Sequence, residues 1–187
     1  MNESKNIIRK HQTRVNFYLL EIQKMLFDRG QKHDRSKLNN EEFSLFEKYA
    51  PLLKTCKYGS KEYKKFLEEL SPALEHHYKN NRHHPEHFKK YVCNGCFAIY
   101  SEESGRCKEC GYTQRQTETD ISQMNLVDLI EMLCDWIAAG EQHSDGGDIF
   151  KSIEINQKRF GYSDDIKSIL KNTATLIQES TNDTNTD

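Results

Sequence analysis

No stretch of this 187-residue sequence stays apolar for the roughly 18 residues that a membrane-spanning helix requires. The opening residues, MNESKNIIRKHQ, lack the apolar centre of a secretory leader. Net charge is equally scarce. Twenty-seven Lys and Arg stand against 29 Asp and Glu, a formal balance of −2. No charge excess therefore recommends duplex DNA or an anionic membrane surface as a partner. No internal repeat is visible. These absences predict a cytoplasmic protein without a membrane partner, one domain in size or one domain with a small insert. Homo-oligomerisation is left open. In the cytoplasm, paired cysteines serve metals or redox chemistry more often than structural disulfides.

What is present is mostly helical periodicity. Ile8, His11, Val15, Tyr18, Leu19, Ile22, Met25 and Leu26 recur at steps of three and four, which predicts one helix over 5–29 with Gly30 as its stop. Asn39 and Glu42 have the spacing of a capping box that opens the next helix. Ser60 can start another, with Tyr63, Phe66, Leu67 and Leu70 on one face. Ser71-Pro72 then restarts or kinks it before Leu74, His77 and Tyr78. Residues 80–92 read as loop and short turn. Periodicity returns at Ser122 and runs to Gly140. Two more helices follow, over 149–160 and from Ser163 through Ile177. The fold class expected is mainly α: a helical bundle formed by 1–90 and 120–178, interrupted at 91–115 by a small inserted zinc ribbon. Residues 179–187 are a polar, flexible tail.

Residues 93–112 contain few aliphatic side chains but four cysteines and three glycines. The pattern is CNGC, ten residues, CKEC. Each pair can turn two thiolates toward one ion, and two such turns complete a tetrahedral zinc site at Cys93, Cys96, Cys107 and Cys110. Four cysteines leave no open coordination position, so that zinc is structural. A redox dithiol is the competing reading. Gly111 suits a position that needs an unusual backbone angle. Lys89, Lys90, Arg106, Lys108 and Arg115 flank the module, a pattern that is usually a solvated face. Cys56 and Cys134 stand alone and read as buried or inert thiols.

The eight histidines are clustered rather than scattered. His11 lies on the apolar face of the first helix. His33-Asp34 follows where that helix turns back. His76-His77 ends the helix restarted at Pro72, and His83, His84 and His87 crowd the next loop. The helix after Ser122 is apolar nearly all round, yet Asp128, Glu131 and Asp135 form one stripe along it. A buried carboxylate is costly unless it is paired or binds a metal. Taken singly, these features read as satisfied core histidines or a solvated acidic face. Together they are what a divalent metal site built from several helices requires.

The HxxxV at His11 and Val15, the His33-Asp34 doublet and a later helical Asp together resemble the HD superfamily of metal-dependent phosphohydrolases. HDRSK is similar to the HD-x-x-K of its cyclic-dinucleotide phosphodiesterase branch, although the Gly-Tyr-Pro element of that branch is missing. The run from HHPEHF through MNLVDLIEMLCDW to SIEINQKRFG looks like a family of small, uncharacterised phage and bacterial proteins. That resemblance covers most of 5–178 apart from the ribbon, and implies a protein acting in a host cytoplasm. The HD resemblance implies His11, His33, Asp34 and Asp135 as ligands of a first ion, with Asp128 as the fallback for Asp135. It also implies His77 and His84 as ligands of a second. The ions would be Mn2+, Mg2+, Fe2+, Co2+ or Zn2+. The implied reaction is hydrolysis of a nucleotide phosphate ester, either a nucleoside monophosphate or a cyclic or oligonucleotide. Asp34 would ligate the ion and orient water. Lys37, one turn beyond, would bind phosphate as a point charge, with Arg159 as a second candidate. The alternative is a non-catalytic binding module whose ribbon recognises a protein or nucleic acid. A third reading is a histidine-rich helical protein holding only the ribbon metal.

Overall fold

A computed structural model describes residues 3–56, 60–100, 105–142 and 147–183. The chain is mainly helical. Helices α1 (Glu3–Lys32), α2 (Asn40–Thr55) and α3 (Lys61–Asn80) precede a small sheet of β1 (Lys89–Cys93), β2 (Ile99–Tyr100) and β3 (Arg115–Thr119). Helices α4 (Leu126–Glu141), α5 (Ile149–Phe160) and α6 (Asp164–Asp183) follow. The sheet is antiparallel in the order β2-β1-β3, with Tyr91 opposite both Tyr100 and Thr117.

Local chemistry accounts for most of the boundaries. The Ser60 side chain accepts the Tyr63 amide and starts α3. Asn125 and Asp128 form a reciprocal capping box at α4, so that helix begins four residues after the predicted Ser122. Asp148 caps α5, which Gly161 ends in the left-handed region at φ 68°. Three expectations need correcting. First, α1 does not stop at Gly30. It runs to Lys32, and the left-handed residue beyond it is Asp34, at φ 54°. Second, α3 is continuous through Pro72. Third, α6 extends to Asp183, so 179–183 is helix rather than loose tail. The insert is also slightly larger than predicted, because its stem strands start at Lys89 and end at Thr119.

Two apolar clusters hold the bundle. Met132, Leu133, Ile153, Leu170 and Ala174 join α4, α5 and α6, with Phe88 and Met124 beside the sheet. Tyr49, Leu70 and Ala73 join α2 to α3. The face between these clusters carries the polar residues described next. Helix α1 reaches it only through its last turns, which lie against α4.

Candidate metal centres

In the insert, Cys93 ends β1 and the other three cysteines sit on two turns of matching geometry. The Phe97 amide donates to the Cys93 carbonyl at 2.9 Å, and the Gly111 amide to the Cys107 carbonyl at 2.9 Å. Phe97 and Gly111, each following the second cysteine of a pair, both have positive φ, at 59° and 72°. The unusual angle expected at Gly111 is therefore present, and Phe97 matches it without glycine's freedom. Sulfur atoms are 3.6 Å apart between Cys93 and Cys110 and 3.5 Å apart between Cys96 and Cys107. Thiolates about 2.3 Å from a shared tetrahedral ion would lie about 3.8 Å apart. All four sulfurs fall within one coordination sphere, an arrangement that can hold a metal such as zinc. The Tyr100 hydroxyl bonds the Cys107 sulfur at 3.2 Å and lowers its pKa to about 6, favouring the thiolate that a metal needs.

The second constellation forms where α1 ends, α3 ends and α4 passes. Asp34, His77, His83 and His84 converge, and beside them so do His33, His83 and Asp135. His77 Nε2 is 2.9 Å from His84 Nε2 and 3.1 Å from Asp34 Oδ1, and His83 Nε2 is 3.5 Å from the same oxygen. Nitrogen and oxygen ligands about 2.1 Å from one tetrahedral ion are separated by about 3.4 Å. Asp34 Oδ1 and His83 Nε2 are buried with no hydrogen-bond partner. Orphaned polar atoms aimed at one point, together with two imidazole nitrogens facing each other, fit a cation.

The far sides of these rings are anchored. Glu42 is fully buried, and its two oxygens are 2.7 Å from His76 Nδ1 and 2.9 Å from His77 Nδ1. Glu131 Oε1 is 3.0 Å from His33 Nδ1 and 3.1 Å from His83 Nδ1. An ionised carboxylate can only accept, so these Nδ1 atoms donate and the Nε2 atoms of His33, His77 and His83 face inward. This is the support that metal-ligating histidines characteristically have.

Electrostatics follow from this wiring. Burial raises the Asp34 pKa, but His77, His83 and Lys37 beside it outweigh that and hold the carboxyl well below its usual range. Asp135 and then Glu131 raise the His33 pKa to about 10, so in the absence of a cation His33 carries a proton on each nitrogen, and a bound ion would have to displace the one on Nε2. Burial, reinforced by His83 and His77, lowers the His84 pKa to about 3, leaving it a neutral donor of a lone pair.

Of the predicted site residues, His33, Asp34, His77, His84 and Asp135 are brought together. His11 is not. A continuous helix rises about 1.5 Å per residue, so His11 lies about 30 Å from His33 along α1, exposed to solvent. Asp128 is not a ligand either. It is fully buried and consumed by Arg29 at 2.6 Å, by Arg82 at 3.0 Å and by the α4 cap. Lys37 stands at the centre, 2.5 Å from Asp34 Oδ2. Arg159 is tied to Glu86 and lies over the Phe160 ring, so its charge is already answered.

Three residues escaped sequence reasoning. His83 adjoins His84 in sequence, and nothing in the local pattern says that both turn inward. Glu131 was legible only as one member of the acidic stripe. Glu42 was read as a helix cap, but Asn39 makes no side-chain cap bond and the Glu42 carboxylate goes to the histidines instead.

A cavity of about 460 Å³ opens beside His33 and Asp135, bounded by Leu26, Gly30, Ile130 and Cys134. Cys134, read as a buried or inert thiol, is exposed there, and its thiol pKa is raised by partial burial, which disfavours the reactive thiolate. No helix among the described residues is long and apolar enough to cross a membrane.

A mainly helical bundle with a four-cysteine insert and a histidine–carboxylate cluster defines the class of protein. Within it, the chain belongs to a family of unknown function (DUF5662), whose profile matches residues 1–182. Comparisons with curated proteins and with solved structures gave no match.

Proposed function

We propose that this protein is a metal-dependent phosphohydrolase of the HD kind acting on a nucleotide phosphate ester. The observation that carries the reading is the inward-facing imidazoles of His33, His77 and His83, fixed from behind by Glu42 or Glu131, around an Asp34 oxygen with no other partner. Asp34, His77, His83 and His84 would hold one divalent ion; His33 and Asp135 lie beside it and would be the start of a second, to which His83, with one inward lone pair, cannot contribute while it serves the first. Such ions supply a nucleophilic water at neutral pH and offset charge on the phosphoryl oxygens. Asp34 has one oxygen directed at the cluster and the other at Lys37, so it links the ligand set to the cation best placed for phosphate. The cavity beside His33 and Asp135 is the natural place for the rest of the substrate.

The direct test is to strip the protein with chelator, restore Mn2+ or another divalent ion, count bound ions by elemental analysis, and screen nucleotides for phosphate release and diester cleavage. A folded, metal-replete protein that hydrolyses nothing in a broad panel refutes the reading.

Gly30 gives a sharper version of that test. It sits in regular helix, a Cβ built there meets nothing within 4 Å, and it borders the cavity. Gly30→Leu is expected to raise thermal stability, by up to about 1 kcal/mol of helix propensity, and to leave metal content unchanged. It should lower kcat/KM by filling the cavity. Unchanged kcat/KM with raised stability would show that substrate goes elsewhere.

For the insert, the finer reading is one structural zinc. Cys93→Ser combined with Cys96→Ser is expected to release that zinc and disorder 93–112 while α1–α6 stay folded. Circular dichroism and zinc analysis check both halves. Loss of all helical signal would show instead that the insert is integral to the core.

The second reading, a binding module, has one observation in its favour. Phe97, Ile99 and Tyr112 of the insert are each exposed, and exposed large apolar side chains are what a partner would cover.

A further inference from the structure

Helix α1 is poorly explained by the rest of the fold. Every residue from 3 to 25 is exposed, and ten large apolar side chains of the helix, among them Val15, Tyr18, Ile22 and Met25, face solvent. A single chain of 22.0 kDa exposes about 9,300 Å² when packed as an ordinary monomer, whereas this one exposes 13629 Å². The excess of roughly 4,000 Å² per chain is more than the roughly 1,000–2,500 Å² that each partner contributes to a large, permanent interface, so there is surface to spare for one.

The pattern along α1 says what covers it. Ile8, His11, Val15, Tyr18, Ile22 and Met25 alternate steps of three and four, the seam of a two-helix coiled coil. We propose that α1 pairs antiparallel with α1 of a second copy of this chain. In that alignment Ile8 packs against the partner's Met25, His11 against the partner's Ile22, and Val15 against the partner's Tyr18. The two-fold axis repeats all three layers. Charge chooses the direction. Along the seam's edge, antiparallel packing sets Arg14 beside the partner's Glu21, twice by symmetry. Parallel packing would set Arg14 beside the partner's Leu19 and Glu21 beside the partner's Leu26, with no ion pair. The interface closes on itself, so it makes a dimer and not a filament.

The test uses the full chain with its metal in place. Sedimentation equilibrium should give twice 22.0 kDa. Arg14→Glu should weaken the dimer about tenfold by turning two attractions into repulsions. Glu21→Arg should do the same, and the two changes together should restore wild-type association. These positions are exposed in the single chain, so each variant should keep its zinc and helical signal. A monomer at every concentration reached overturns the proposal, as does a monomer that instead binds anionic lipid vesicles. A dimer that ignores Arg14→Glu, or a double variant that is not restored, overturns the antiparallel pairing.

Discussion

Asp34→Ala is expected to abolish retention of a divalent ion among His77, His83 and His84 and to cut nucleotide hydrolysis by about 10³-fold. A loss of that size is about 4 kcal/mol of transition-state stabilisation. Asp34 supplies the only carboxylate of that ligand set, with Oδ1 directed at His77 and His83 and unbonded otherwise. It also holds Lys37 through Oδ2, so its removal frees that cation to swing away. The alanine variant carries a second effect that must be separated. Asp34 occupies the left-handed region at φ 54°, where alanine costs about 1 kcal/mol or more and Asn is tolerated. Asp34→Asn should therefore fold as well as the parent while losing the ligand charge. Elemental analysis, a thermal melt and a phosphate-release assay distinguish the outcomes. An asparagine variant that keeps its full complement of ions and its rate would remove Asp34 from the site.

The second large effect is expected at Glu42. Glu42→Ala should lower affinity for the ion held by His77 by about 10- to 100-fold and destabilise the fold by about 1–3 kcal/mol for the imidazole left without its acceptor. The residue is fully buried between α2 and α3 and touches no cavity, so it acts through His77 rather than on substrate. Ser36 Oγ lies 3.1 Å from His77 Nδ1 and offers a partial substitute acceptor. Glu42→Gln, which keeps an acceptor oxygen, should recover most of the stability and only part of the affinity. Titration of Mn2+ into chelated protein, read beside a chemical melt, tests this. Stability lost with affinity intact would make Glu42 a packing residue only.

The site residues divide by how their information is carried. Cysteine pairs at CxxC spacing fix their own turns, so Cys93, Cys96, Cys107 and Cys110 were legible at once, down to the backbone angle at Gly111. His77 was legible because it continues the buried face of Leu70 and Ala73, while His76 next to it stays partly exposed. Asp135 was implied by the HD resemblance and by its place at the end of the acidic stripe on an otherwise apolar α4. His11 failed for the converse reason. Its place on an apolar helix face suggested burial, but that face is exposed from residue 3 to residue 25. The choice of His84 over His83 was no better founded, since both belong to the cluster and His83 is the more buried.

Periodicity, caps and cysteine spacing are local properties, and they determined most of the helices, the insert and its four-cysteine cluster from the sequence alone. Which carboxylates stand behind which imidazoles is a property of packing between distant segments. Glu42 meets His77 across 35 residues and Glu131 meets His33 across 98. No spacing rule reaches that far, because the partner of a buried polar group is chosen by whichever helices the apolar faces bring together. Asp128 illustrates the same limit. It shared the acidic stripe with Asp135 and was the fallback ligand, and only the arrival of Arg29 and Arg82 beside it made it a structural anion.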